Sequence, residues 1–201
     1  MNQHEYDSRY TDYQTNRSAL RKLVRKLYLR KARSHLRGKT VDIGCGVGEL
    51  LATLPEGSKG LEYNRDTVDY CQSKGMDVEW YDGYADNCQL SPIAGNSSFQ
   101  SAIISHVLEH FDEPMTILER ILEGCQSKGI ERVLVIVPGR AGYGSDPTHV
   151  TFVDRPMLET RVNAIPGWRV EAAEFFPGNF RSIGDRFTHH ELQFLISRDW
   201  K

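Results

Sequence analysis

The sequence predicts an α/β fold, a mostly parallel sheet covered by helices on both faces, and three observations carry that prediction. From Thr40 to Pro138, short apolar runs alternate with segments of helical periodicity, the pattern of strands and crossover helices. The first run, Thr40-Val41-Asp42-Ile43, leads into Gly44-Cys45-Gly46-Val47-Gly48, whose alternate glycines let the backbone turn sharply and approach a ligand with no Cβ in the way. The last two runs, Trp168 to Phe176 and Glu191 to Ser197, are joined by a glycine-containing link without helical pattern, and such a link favours an antiparallel pair.

The elements follow in chain order. Between Arg17 and Lys39 stand ten basic residues and no acid, while Leu20, Leu23, Val24, Leu27 and Leu36 recur at near-helical spacing. This is a basic amphipathic helix, either a lid that packs its leucines on the sheet or a recognition element for an anionic acceptor. Tyr6, Tyr10 and Tyr13 precede it in a polar segment expected to order over a bound ligand. Strands are expected near residues 40–43, 59–63, 77–81, 100–105 and 132–137, and helices near 48–54, 65–74, 113–125 and 154–163.

Composition sets bounds on what the chain can be. At 201 residues and 39% hydrophobic content it fits a single domain over 1–201, with 1–39 as a basic N-terminal lid segment. Residues 1–40 hold eleven Lys and Arg against three acids, whereas the whole chain has a net charge of −2, so the body beyond the lid is acidic. Neither a signal-peptide pattern nor an apolar run of about 18 residues is present, and a cytoplasmic protein without a membrane span is expected. Cys45, Cys71, Cys88 and Cys125 form no C-x-x-C pair and are read as reduced thiols.

In open parallel sheets ligands lie in the crevice beyond the carboxyl ends of the strands, which directs attention to Gly44, Glu62, Asp82, Ser105 and Pro138. Glu49 stands where a dinucleotide fingerprint requires a small residue, and with Asp42 it gives the glycine turn an acidic border unsuited to a pyrophosphate. Glu62 ends the second run and can accept both hydroxyls of a ribose. After the third run, Asp82 and Gly83 offer a carboxylate and a close backbone approach for a base, with Tyr84 as a stacking wall; the plainer reading of Asp82 is a turn aspartate. Together these features ask for a nucleoside with a free ribose diol and a cationic tail, a description that S-adenosylmethionine meets.

Val41-Asp42-Ile43-Gly44-Cys45-Gly46-Val47-Gly48, then Gly60-Leu61-Glu62, then Ser105-His106-Val107-Leu108-Glu109-His110-Phe111 resemble the class I S-adenosylmethionine-dependent methyltransferases, motif by motif over residues 38–138. The resemblance implies a Rossmann-like, seven-stranded sheet whose last strand is antiparallel to the rest. It also implies that Asp42, Gly44, Cys45 and Gly46 hold the methionine part of the cofactor, that Glu62 with Tyr63 holds the ribose, that Asp82 and Gly83 lie near adenine, and that Ser105 stands between methionine and acceptor.

Methyl transfer from a sulfonium needs an in-line approach, a dry pocket and somewhere for the nucleophile's proton to go. A histidine suits the last task. The candidates are His149, in the loop beyond the fifth strand, then His106 and His110; His189 and His190 fall in the terminal strand pattern, where a surface or edge role is expected. His106, Glu109 and His110, with His149 from another loop, also have metal-ligand character. Leu-Glu-His at this point is widespread among class I methyltransferases that bind no metal, so no metal is expected and Glu109 and His110 are read as positioning the following helix. The expected activity is O-methylation of a small-molecule, sugar or glycan acceptor, possibly phosphate-bearing. One alternative is an RNA 2′-O-methyltransferase, favoured by the basic helix but lacking a recognisable RNA module. Another is a non-catalytic partner subunit that keeps the cofactor fold, disfavoured by the intact Asp42, Gly44, Gly46, Glu62 and Ser105.

Overall fold

In the computed structural model the described residues are 19–95, 98–178 and 190–199. Their elements are α1 (Ala19–Ser34), β1 (Lys39–Ile43), β2 (Lys59–Glu62), α2 (Arg65–Ser73), β3 (Val78–Trp80), β4 (Phe99–Ser105), α3 (Pro114–Ser127), β5 (Arg132–Pro138), α4 (Arg140–Tyr143), α5 (Arg155–Ala164), β6 (Trp168–Phe176) and β7 (Glu191–Arg198). Tyr6, Tyr10, Tyr13 and His189 lie outside the described residues, as do the side chains of residues 19–25.

The strands form one sheet in the order β3-β2-β1-β4-β5-β7-β6. β1 to β5 pair in parallel, and β7 runs antiparallel between β5 and β6, as expected for the final pair. β5, Arg-Val-Leu-Val-Ile-Val-Pro, is buried at every position because helices cover both of its faces, which is why it reads as an unbroken apolar run rather than an alternating one. Ile103, Leu134, Ile136 and Leu195 point to the α1 side and meet Tyr28, Ala32 and Leu36. Ala102, Ile104, Val133, Val135 and Val137 point the other way, towards Ile117, Leu118, Ile121 and Leu122 of α3 and Leu158 and Val162 of α5. Two helices begin at capping side chains: Asn64 accepts from the Thr67 amide and Asp154 from the Met157 amide, each at 3.0 Å. Because the chain leaves β1 on one side for β2 and returns on the other for β4, the carboxyl ends of β1 and β4 border the topological switch point.

Three expectations are corrected. Residues 48–54 form no α-helix but a single 3₁₀ turn at Leu51–Thr53, since Pro55 forces Leu54 into an extended conformation (φ −81°, ψ 163°) before a helix can establish itself. The glycine turn therefore does not itself open a helix whose dipole would attract an anion. In α1 Leu27 is 52% exposed while its neighbour Tyr28, with Ala32, is buried; Leu36, just after the helix, is buried as expected. Tyr28 takes the inner place because its hydroxyl finds a polar partner there, Ser105 Oγ at 2.8 Å. His190, expected at a surface or edge, is buried.

No helix among the described residues is long and apolar enough to cross a membrane. All four cysteines are free thiols.

Gly124 allows a packing prediction whose sign is set by competition. In an exposed helix, Gly→Ala gains about 1 kcal/mol from propensity. At position 124 an added Cβ would lie 2.4 Å from the backbone oxygen of Cys88, which cannot rotate away. Overpacking of this kind costs about 1–3 kcal/mol and should win, so Gly124→Ala is expected to lower the urea midpoint. A raised midpoint would show that the segment around Cys88 yields.

Candidate active site

The glycine turn is fastened to β2 by its own amides: Gly44 N–H donates to Leu61 O at 2.8 Å and Cys45 N–H to the same oxygen at 3.3 Å. Gly44 has φ +72°, and a Cβ there would meet Val107 Cγ2 at 2.5 Å, so both backbone conformation and space require glycine. Gly46, at φ +53°, has open space where a Cβ would project, which leaves its backbone approachable. Its amide donates to Glu62 Oε2 at 2.8 Å, and Asn64 N–H donates to Oε1 at 2.9 Å. The Glu62 carboxylate thus clamps the turn to the end of β2 and still has lone pairs for further donors.

The electrostatics of this end are anionic. Burial raises the Glu62 pKa, and the amides of Asn64, Gly46 and Tyr63 oppose the rise. Burial, Asp42 and Glu62 push the Cys45 thiol far up, and burial with the same carboxylates takes Cys71 to about 11, so neither is a thiolate. Asp42 is buried at the end of β1. Tyr63 O accepts from Trp80 Nε1 at 2.7 Å, and the Arg65 guanidinium lies 3.9 Å over the Trp80 ring. Asp82 Oδ1 accepts from the amides of Tyr84 and Ala85, both at 3.0 Å, so one of its oxygens serves the turn itself. Gly83 O accepts from Cys88 N–H at 2.8 Å, and Tyr84, 73% exposed, stacks on Phe111 at 6.1 Å.

On the far side of the crevice Ser105 ends β4 and bonds Tyr28. His106 follows with φ +56°, a left-handed conformation that turns its ring between two carboxylates. Nδ1 bonds Glu109 Oε1 and Nε2 bonds Glu191 Oε1, each at 3.1 Å. Burial alone would lower its pKa, but Glu191 and Glu109 outweigh burial and take it up to about 10. At neutral pH it is therefore an imidazolium, unable to take a proton, and its place in the site is that of a cation orienting Glu109.

Glu109 is fully buried. Its backbone oxygen accepts from Val150 N–H at 2.8 Å and Thr151 N–H at 3.1 Å, which ties the loop after β5 to the turn after β4. That loop carries the short helix α4, not among the helices expected from the sequence, and it brings His149 beside His110 with ring centroids 5.0 Å apart. His149 Nδ1 bonds Tyr143 O at 2.9 Å and His110 Nδ1 bonds Thr148 O at 3.2 Å. A carbonyl only accepts, so both Nδ1 atoms carry hydrogen and each neutral ring keeps its lone pair on Nε2. His149 Nε2 lies 3.8 Å from Glu109 Oε1 and 3.9 Å from Asp146 Oδ2, with the ring stacked on Tyr143 at 5.5 Å.

His106, His110 and His149 are thus brought together around Glu109, although 39 residues separate His110 from His149. His190 remains apart, stacked on Phe175 at 4.9 Å with its oxygen accepting from Gly139 N–H at 2.7 Å. Sequence reasoning missed Glu191, Tyr28 and the burial of Glu109. One signal could have found Glu191: an antiparallel β7 starts beside the carboxyl end of β5, and in the register Glu191 faces Pro138.

No curated protein matches the sequence. Among solved structures the chain is similar to a SAM-dependent methyltransferase from Archaeoglobus fulgidus, at 20% identity over 96% of this chain and 100% of that one, with a TM-score of 0.68. It is similar to the magnesium protoporphyrin IX methyltransferase of Synechocystis PCC 6803 solved with bound SAH, at 13% identity over 92% and 89% of the two chains, TM-score 0.62. A complex of the Haloferax volcanii Trm112 methyltransferase activator with a putative methyltransferase matches at 13% identity over 84% and 88%, TM-score 0.60. These likenesses establish the class I methyltransferase fold. Residues 30–138, more than half the chain and the whole stretch from late α1 to the end of β5, match the family model for methionine biosynthesis protein MetW, and the chain accordingly belongs to the MetW family.

Proposed function

We propose that the protein is an S-adenosylmethionine-dependent methyltransferase acting on an oxygen of a small-molecule, sugar or glycan acceptor. The observation that carries this reading is the bond from Gly46 N–H to Glu62 Oε2, which couples an open glycine turn, followed by no α-helix of its own, to a carboxylate with lone pairs to spare in an anionic corner. Such a corner suits a ribose diol joined to a sulfonium and repels a pyrophosphate. The solved relatives described as SAM-dependent or holding SAH support it. In this reading Asp42, Gly44, Cys45 and Gly46 contact the methionine part, Glu62 and Tyr63 the ribose, and Asp82 and Gly83 the adenine, with Ser105 between methionine and acceptor.

The acceptor hydroxyl approaches from the His110 and His149 side. Bound S-adenosylmethionine would supply the methyl group from its sulfonium, and Nε2 of His149 would take the acceptor hydroxyl's proton, its ring orientation set by the bond from Nδ1 to Tyr143 O. His106, held charged, keeps Glu109 in place, and α1 is the described part of the lid proposed for this end of the chain, with Tyr28 bonded to Ser105 at its inner face.

Calorimetry is the direct test: S-adenosylmethionine and its demethylated product should bind and NAD should not, and tighter binding of NAD would overturn the cofactor assignment. Transfer of labelled methyl groups into cell-extract fractions, with and without nuclease, then separates acceptor classes. Label that survives nuclease supports the small-molecule or glycan reading. Nuclease-sensitive label would instead favour RNA, the reading that exposed Lys26, Arg30 and Arg37 on or just after α1 would serve.

A further inference from the structure

We propose that Glu109, His110 and His149 form a binding site for one divalent transition-metal ion at the acceptor end of the crevice. One ligand nitrogen from each histidine and one carboxylate oxygen of Glu109 lie within 4.8 Å of one another. Both histidines are prepared for coordination, because Nδ1 is occupied by a backbone carbonyl, Thr148 O or Tyr143 O, and Nε2 keeps the lone pair. Glu109 supplies the independent sign of a missing ligand. Its side chain is fully buried, Oε1 is engaged by His106, and Oε2 has no hydrogen-bond partner. A buried carboxylate oxygen without a donor has lost its water and gained nothing in return, a deficit that a bound cation would offset.

The frame is built without the ion. The amides of Val150 and Thr151 on the Glu109 carbonyl lock together the two segments that carry the ligands. His106, braced by Glu191, fixes the carboxylate from behind. Asp146 Oδ2, 3.9 Å from His149 Nε2 and partly exposed, is placed to add a fourth donor or to leave that position to acceptor or water. Ligand atoms around a tetrahedral cation at about 2.1 Å stand about 3.4 Å apart, so the trio, now within 4.8 Å, would draw in by at most about 1.4 Å on loading. Two imidazoles with a carboxylate select zinc, manganese, iron or nickel over magnesium and calcium, which prefer oxygen donors.

What the ion would be for rests on the methyltransferase reading, but its binding does not. An ion here occupies the nitrogen assigned above as the base. In the loaded protein the acceptor hydroxyl would be activated by coordination and lose its proton to water, and in the ion-free protein it would lose it to His149.

The test uses the full chain, stripped with a chelator, dialysed, and titrated calorimetrically with Zn²⁺, Mn²⁺ and Mg²⁺, with S-adenosylhomocysteine titrated in parallel. One Zn²⁺ or Mn²⁺ per chain is expected, with Mg²⁺ weaker by at least about tenfold. Glu109→Gln and His110→Ala should each weaken the transition metal by at least about tenfold while S-adenosylhomocysteine still binds. If Glu109→Gln does not fold, His110→Ala and the visible spectrum of the Co²⁺-loaded chain decide. No binding by the wild-type chain, or binding that neither substitution changes, overturns the site. A chain that binds metal but not S-adenosylhomocysteine sinks the cofactor assignment and leaves the site standing; the reverse result sinks the site alone.

Discussion

Replacing His149 by alanine is expected to lower kcat by roughly 10²- to 10⁴-fold with the affinity for S-adenosylhomocysteine nearly unchanged. The expectation rests on three facts. The side chain is only 7% exposed, so its lone pair is shielded from water; Nδ1 is committed to Tyr143 O, so the lone pair is on Nε2; and that nitrogen faces Glu109 rather than a donor that would consume it. Cofactor binding should survive because His149 is held by Tyr143 O on the far side of the crevice from the Gly46–Glu62 clamp. His106 is the informative control. Held between the carboxylates of Glu109 and Glu191, it acts through its neighbours and not as the base, so His106→Gln should disturb the site without removing a base. If the His149→Ala enzyme regains activity on addition of excess Zn²⁺ or Mn²⁺, the nitrogen serves as a metal ligand. If added imidazole restores it in the presence of chelator, the nitrogen serves as a base. A normal kcat in the variant would remove His149 from the mechanism altogether.

What the sequence disclosed and what it concealed divide along the range of the interactions. β1, the glycine turn, Glu62 and the buried run of β5 were legible because apolar length, glycine spacing and the following acid are local signals. The antiparallel end of the sheet was legible for a similar reason, since a link without helical pattern cannot supply a crossover. The false helix at 48–54 came from weighing Leu50, Leu51 and Leu54 and not the proline that follows them. That Tyr28 rather than Leu27 would be buried was not legible, because it depends on a hydroxyl pair formed with Ser105, 77 residues away. The same holds for the acceptor end. Glu109 reads as a helix-positioning residue until β7 brings Glu191 to His106 and the loop after β5 brings His149, three segments whose meeting is a property of sheet order and leaves no periodic trace.

Glu62→Ala is expected to cost about 1.5–3 kcal/mol of cofactor affinity, the value of charge-assisted hydrogen bonds to a ribose diol. This corresponds to a Kd raised about 10- to 150-fold in calorimetry. The substitution would also release Gly46 N–H and Asn64 N–H, so Glu62→Gln, which keeps one acceptor oxygen and the side-chain volume, separates loss of charge from loosening of the turn. The pH dependence follows from the raised pKa. In the unliganded protein, burial favours the protonated carboxyl more than the unfolded chain does, so the contribution of Glu62 to stability is fully present below its unfolded pKa and is lost as pH rises through the folded one. Cofactor binding has the opposite preference, because ribose hydroxyls donate to a carboxylate and a protonated acid accepts less well. Affinity should therefore weaken as pH falls through the raised Glu62 pKa, and Glu62→Gln should flatten that limb. An unchanged Kd in Glu62→Ala would mean that the ribose is held elsewhere and that the carboxylate serves only to pin the glycine turn. A lowered affinity with no change in pH profile would mean that its charge does not contribute and its shape does.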